Sequence, residues 1–232
     1  LIEEVQAVMS QGGVDFEVVF LDDGSTDGTD QCVLEMMPGR PWLRLLRLPH
    51  NAGKSVGMHA AIQAARGQYI ATLDADLQND PADLLPMLET LQQGDADYVQ
   101  GDRSAVRQDA WVRKAGTAVG RAVRRWALGD TVRDTGCATR MMTRKIARGM
   151  PMQFEGMHRF LPAYAAIQGA RIVERPVNHR HRHSGTSKYG LGVLTRAGAG
   201  LRDTLAVQWM RSRYRSDESV TELTAEANSD DT

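Results

Sequence analysis

Four short, apolar, strand-like runs alternate with three helix-like stretches in the first hundred residues, and few folds accept that rhythm. Phe16-Glu-Val-Val-Phe-Leu21 breaks at Asp22-Asp-Gly-Ser-Thr-Asp-Gly28. The helix predicted after it runs to Met37, where Pro38-Gly39 stops it. Leu43 to Leu48 reads as the second strand, Lys54 to Arg66 as an Ala- and Met-rich helix, and Gln68 to Leu73 as the third strand. Asn79-Asp-Pro81 caps a helix to about Gln93, with proline in the first turn, and Asp97 to Gln100 is a short fourth strand. A β-α-β-α order requires parallel strands with helices covering them, so the predicted fold is α/β, an open doubly wound sheet. Ligands of such sheets sit beyond the carboxyl ends of the strands.

Two acidic turns fall at those ends, Asp22-Asp23 and Asp74-Ala-Asp76. If extended geometry continues past the third strand, alternation puts Asp74, Asp76 and Gln78 on one side. Hard oxygen donors grouped there suit Mg²⁺ or Mn²⁺, a metal that commonly also holds substrate phosphates. The same residues also suit a solvated Asp-rich turn, and Asp22 and Asp23 precede a helix that Ser25 or Asp27 can cap. Asn51-Ala-Gly-Lys-Ser55 ends like a phosphate-cradling loop, but that motif requires glycine where Leu48 stands. Lys54 at a helix start still favours a nearby anion, with a solvated surface lysine as the alternative.

Charge is segregated in this 232-residue chain. After Arg215 there are six acidic side chains and no basic one, which leaves 28 basic against 23 acidic side chains before it. The acidic segment 216–232 reads as disordered. Two cysteines are too few for a disulfide framework and fit a reducing compartment. No apolar run reaches the length of a membrane span, and no signal-peptide pattern opens the sequence. Leu1 to Met9 reads as part of an amphipathic helix with no strand before it, so the expectation is that the first strand is missing.

Two helices carry arginine beside an apolar stripe. Ala110 to Leu128 spaces Trp111, Ala115, Ala118, Val119, Ala122 and Trp126 helically. Residues 190–215 align Leu191, Leu194, Leu201, Leu205 and Trp209 among Arg196, Arg202, Arg211, Arg213 and Arg215. Each fits a basic amphipathic helix in a membrane interface, or an apolar stripe packed on the sheet. Nucleic acid explains these arginines less well, because no aromatic stacking platform accompanies them. His179, His181 and His183 alternate as metal ligands do in a strand, but no cysteine or carboxylate lies within the cluster. Arg182, Ser187 and Lys188 around Gly185 read better as a basic phosphate clamp.

Five motifs occur in order: Asp22-Asp-Gly-Ser-Thr-Asp-Gly-Thr29, Asn51-Ala-Gly-Lys54, Leu73-Asp-Ala-Asp-Leu-Gln78, Asp134-Thr-Gly-Cys-Ala-Thr-Arg140 and Arg182-His-Ser-Gly-Thr-Ser-Lys-Tyr189. Over residues 1–189 the chain resembles the family 2, GT-A (Rossmann-like) glycosyltransferases, specifically the polyprenyl-phosphate sugar transferases similar to dolichol-phosphate mannosyltransferase. The family's opening strand, with its Pro-x-x-Asn-Glu-like end, is not present. The resemblance implies Mg²⁺ or Mn²⁺ on Asp76, assisted by Gln78 and Asp74. It implies a nucleotide sugar contacted by Asp22, Asp23, Asn51, Lys54, Asp74, Arg182 and Lys188. Asp134 takes the acceptor side, as base or as aligner, or is a turn aspartate. Arg140, through its planar guanidinium, is the candidate for the acceptor phosphate, with Arg103 after the fourth strand a weaker one and Ser187 a donor from the clamp.

The implied reaction is metal-dependent and inverting. A hexose moves from a nucleotide donor, GDP-mannose first and UDP-linked sugars next, to undecaprenyl or dolichyl phosphate. The implied location is cytoplasmic, peripheral on the inner face of the membrane, through residues 190–215 or a separate membrane subunit. A soluble or polysaccharide hydroxyl acceptor is the alternative reaction, and a non-catalytic nucleotide-sugar-binding subunit the alternative class.

Overall fold

A computed structural model describes residues 1–105, 122–129, 132–180 and 193–215. The elements run α1 (Ile2–Gln11), β1 (Val18–Asp22), α2 (Thr29–Met36), β2 (Leu43–Arg47), α3 (Lys54–Ala64) and β3 (Tyr69–Thr72). A 3₁₀ turn (Pro81–Asp83) leads into α4 (Leu84–Gln92), followed by β4 (Tyr98–Asp102), α5 (122–128) and β5 (Arg140–Thr143). After α6 (Arg144–Arg148) and a second 3₁₀ turn (Met157–Phe160) come α7 (Leu161–Ile167), β6 (Ile172–Pro176) and α8 (Val193–Arg213).

The chain is α/β, with a mostly parallel sheet flanked by helices. β1 and β2 pair in parallel, and a four-stranded ladder orders β3-β5-β4-β6. In that ladder β3, β4 and β6 run one way and β5 alone runs against them. β5 was not legible in the sequence: Arg-Met-Met-Thr is too short to show a period of two, and methionine carries little strand preference.

Register explains how the sheet is covered on both faces. Ile70, Met142, Tyr98 and Ile172 form one cross-strand row, and Ala71, Met141, Val99 and Val173 the next. Successive strand residues face opposite ways. The first row therefore packs with Ile62, Leu161, Ala165 and Val207 from α3, α7 and α8. Met141, Val99 and Val173 of the second pack with Val5, Met9, Met87 and Leu91 from α1 and α4. Tyr98, Met142, Met87 and Leu161 are completely buried. Burial of an apolar side chain of that size contributes about 1.5–3 kcal/mol.

The carboxyl end of β3 departs from expectation. Extended backbone stops at Thr72, and Ala75-Asp76 form a turn. Leu77 adopts φ 63°, the sole non-glycine positive φ among the described residues. A turn rather than strand alternation therefore aims Asp74, Asp76 and Gln78. Asp80 caps the following 3₁₀ turn by accepting the Ala82 N–H at 3.0 Å, as predicted for this stretch.

Candidate active site

The carboxyl ends of β1, β3, β4 and β6 carry polar loops that are tied directly to one another. Asp23 at the end of β1 accepts the Ala52 N–H at 2.8 Å with one oxygen and the Gly53 N–H at 3.0 Å with the other. Both oxygens hold the loop that presents Lys54. Asp22 is 2% exposed. Its Oδ1 accepts the Ser25 N–H at 3.0 Å, and its Oδ2 faces Arg47 at 3.5 Å, within ion-pair range but outside hydrogen-bond geometry. Asn51 is exposed on the same loop. Lys54 opens α3 after Gly53 at φ 88°, and its ammonium pairs with the Asp74 carboxylate.

The acidic turn is braced from below and beside. Asn79, buried, accepts the Asp74 N–H at 3.3 Å and donates to Thr139 Oγ1 at 2.7 Å. Asp76 Oδ1 accepts the Gln78 N–H at 3.2 Å, a local Asx turn. Gln78 exchanges bonds with Arg180: its carbonyl accepts the Arg180 N–H at 2.9 Å, and its Nε2 donates to the Arg180 carbonyl at 3.4 Å. Asp83 sets that edge by accepting the Asn178 N–H at 2.8 Å and Nδ2 at 3.0 Å, while burial pushes its own carboxyl pKa up. The histidine-bearing segment thus lies beside the acidic turn as far as Arg180. Arg182, Ser187 and Lys188 lie outside the described residues.

Asp134 and Arg103, read in the sequence as separate candidates on the acceptor side, form one ion pair. The guanidinium donates from Nε to Oδ2 at 2.7 Å and from Nη2 to Oδ1 at 3.0 Å, with both side chains largely buried. Arg140 is 3% exposed, and its guanidinium donates to the carbonyls of Thr135, Cys137 and His158, which clamps the Asp134 loop. Gln100, fully buried, supports the loop from β4 by donating to the carbonyls of Asp134 at 3.1 Å and Cys137 at 3.2 Å. Nothing in the sequence distinguished Gln100 from an ordinary strand-end polar residue.

His158 was also missed, as a lone histidine ahead of an apolar helix. Its Nδ1 is 2.8 Å from Ser55 Oγ, and its N–H donates to the same oxygen at 3.1 Å. Burial first, then the cations of Lys54, Arg159 and Arg140, lower its pKa to about 4. It is a neutral imidazole at ordinary pH.

Among the described residues no three His, Cys, Asp or Glu side chains gather as a metal cluster. The donor chemistry nevertheless fits a hard divalent cation that takes its remaining ligands from a diphosphate and water. Asp76 and Gln78 meet in one turn, and Asp74 lies beside them against Lys54. A left-handed leucine inside the turn is the kind of backbone strain that collects at binding sites.

Residues 1–152 match the family model described as glycosyl transferase family 2. Dodecaprenyl-phosphate galacturonate synthase of Rhizobium johnstonii is 34% identical over 225 residues, covering 93% of this chain and 63% of that protein. An undecaprenyl-phosphate 4-deoxy-4-formamido-L-arabinose transferase of Aeromonas hydrophila is 34% identical over 195 residues, covering 82% and 58%. The chain therefore spans about three-fifths of the length of these relatives, 63% and 58%. Among solved structures, glucosyl-3-phosphoglycerate synthase from Mycobacterium tuberculosis, in complex with Mn²⁺, UDP-glucose and phosphoglyceric acid, superposes with a TM-score of 0.59 at 18% identity, covering 92% of this chain and 76% of that one. A mannosyltransferase from Pyrobaculum calidifontis in complex with GDP-Man and Mn²⁺ gives 0.58 at 18% identity, covering 91% and 59%. At that identity the likeness is one of fold.

Proposed function

The chain belongs to glycosyl transferase family 2, and from that premise we propose that it moves a sugar from a nucleotide donor to polyprenyl phosphate. The observation that carries the reading is the Asp134–Arg103 pair. A hydroxyl acceptor needs a carboxylate free to take its proton. Asp134 has both oxygens held by a guanidinium, which makes it a brace rather than a free acceptor of that proton. A phosphate acceptor, with a second pKa near 6, is already ionised at neutral pH and needs no base. The names of the two curated relatives, each a polyprenyl-phosphate sugar transferase, point the same way.

In this reading Asp76, Gln78 and Asp74 hold Mg²⁺ or Mn²⁺, and Lys54 lies beside the donor diphosphate. The cation, when bound, stabilises charge growing on the departing nucleoside diphosphate. Asp23 and Asn79 fix the two loops so that this charge forms against prearranged donors. Arg103 neutralises Asp134, so that an incoming phosphate meets no bare carboxylate. Arg182, Ser187 and Lys188 complete the proposal as the clamp over both phosphates.

A lipid acceptor requires a bilayer surface, and α8 supplies a face for one. Val207, Asp203 and Thr204 pack inward, while Leu201, Leu205 and Trp209, one row along the helix, are 53%, 51% and 63% exposed. Arg202, Arg211, Arg213 and Arg215 are exposed among them. Trp126 of α5, 81% exposed, adds a second aromatic, and a side chain at Gly129 would meet the Arg211 guanidinium at 3.1 Å, so α5 ends against α8. Each arginine near an anionic leaflet adds about 1 kcal/mol of attraction. No helix among the described residues is long and apolar enough to cross a membrane. The protein is proposed to dock peripherally on the cytoplasmic face.

The test supplies the chain with polyprenyl phosphate in anionic vesicles, Mg²⁺ or Mn²⁺, and labelled GDP-mannose, UDP-glucose, UDP-GlcNAc or UDP-galacturonate. A labelled lipid that forms only with cation supports the reading. Transfer to a soluble hydroxyl acceptor, with none to lipid phosphate, refutes it.

A further inference from the structure

Ser55 is the second residue of α3 and is 2% exposed. Its hydroxyl has one proton and two lone pairs. One lone pair receives the His158 main-chain N–H at 3.1 Å, and the 2.8 Å contact to His158 Nδ1 is made by the hydroxyl proton or by the second lone pair. With the hydroxyl proton given to Nδ1, the neutral ring carries its own proton on Nε2. Among the described residues no side chain or carbonyl takes that Nε2 proton. Three cations (Lys54, Arg159 and Arg140) and the Asp74 carboxylate make up the charged surroundings of the ring. The His158 carbonyl in turn accepts from Arg140, which clamps the loop carrying Asp134. His158 thus sits between the lysine on one side of the site and the Asp134–Arg103 pair on the other.

We propose that His158 is a substrate-contacting residue whose Nε2–H, held in place by Ser55, donates to a phosphate oxygen bound beside Lys54 and Asp74. The inference rests on reading the site as one that binds phosphates, but not on any particular sugar. A neutral donor among cations has a specific use: it adds direction to phosphate binding without another charge to desolvate. The oxygen belongs to the donor diphosphate or to the acceptor phosphate, and two arms of one experiment separate these sources.

The first measurement is ¹⁵N NMR of the full chain labelled at histidine, with His158 assigned by its absence in His158→Gln. The Nε2–H tautomer is expected. Its Nε2 resonance should move when nucleoside diphosphate plus Mg²⁺ is added, or when a soluble short-chain polyprenyl phosphate is added, and the ligand that moves it names the source. Ser55→Ala should leave a mixture of tautomers.

Kinetics provide the second readout. Gln places its amide nitrogen near the Nε2 position, whereas Asn places it near Nδ1. His158→Asn should lower kcat/KM about tenfold through the KM of the contacted substrate, the worth of one hydrogen bond, and His158→Gln should restore most of it. An Nδ1–H tautomer, a resonance that no phosphate ligand moves, or equal activity of the Asn and Gln variants would overturn the proposal. Because the NMR arm needs no turnover, it still decides on His158 if no sugar is transferred.

Discussion

The two ends of the four-stranded ladder are both rich in charge, yet they use it differently. At the end where β4 and β6 begin, a cleft of ≈ 470 Å³ is lined by Arg144, Lys145, Arg148 and Arg171 beside Asp97. Its arginines are occupied. Arg144 donates to the Arg66 carbonyl at 2.6 Å, and Arg148 to the carbonyls of Gln63 at 3.3 Å and Ala65 at 3.0 Å. The Gln63 and Ala65 carbonyls belong to the C-terminal end of α3, where carbonyls lack intrahelical partners and cations are favoured. Arg171 is closed onto Asp97, whose carboxyl pKa its side chain lowers. At the opposite end the backbone itself is strained at Leu77, and His158 Nε2 has no protein hydrogen-bond partner among the described residues. Net charge alone does not distinguish a site from a helix cap. Unspent hydrogen-bonding capacity does.

The contrast breaks first at Asp76. Asp76→Asn should reduce kcat/KM roughly a thousandfold, since a bound cation supplies several kcal/mol of transition-state stabilisation. Its chemical denaturation midpoint should stay close to that of the unmodified chain, because the residue is half-exposed and its turn bond can be made by an amide oxygen. A variant that transfers sugar at the unmodified rate would remove Asp76 from the metal site.

Asp134→Asn tests the reading of the ion pair as brace rather than base. Losing one partner of a buried pair leaves Arg103 uncompensated, at a cost of about 3–5 kcal/mol in urea unfolding. The double variant Asp134→Asn/Arg103→Met should recover much of that stability. If Asp134→Asn is inactive yet as stable as the parent, the carboxylate works as a base and the phosphate-acceptor argument loses its support.

Arg148→Ala, at the other end, should cost about 1 kcal/mol in the same titration and leave kcat and KM unchanged. A change in KM without a change in stability would show that the cleft communicates with the site, and the contrast between the two ends would fail.

What could be read in the sequence divides along similar lines. The strand–helix rhythm announced the α/β fold, because periodicity and breakers are local properties. Residue types at strand ends located the acidic turn and Lys54. What stayed hidden were the bonds made across the sequence. Asp23 spends both oxygens on residues 29 and 30 positions away, and Arg140 reaches the His158 carbonyl. Neither set of partners is signalled by the neighbouring residues. His158 gave no local signal, since its ring is held by Ser55, 103 residues earlier in the chain.

The smallest effect comes from the pH dependence of stability. Folding takes His158 from an ordinary pKa of 6.5 to about 4, mainly through burial. Between these values the unfolded chain binds more protons at this residue than the folded one, so stability rises with pH there. The stability tied to its neutral form is complete above pH 6.5 and is lost as pH falls from 6.5 through about 4. In urea titrations from pH 7 to 4.5, the unmodified chain should therefore lose stability more steeply than His158→Gln. Bound nucleoside diphosphate, by placing negative charge near the ring, should raise the pKa of His158 and flatten the slope. A slope unaffected by either change would mean that the imidazole is solvated, and its neutrality could then not be ascribed to the site.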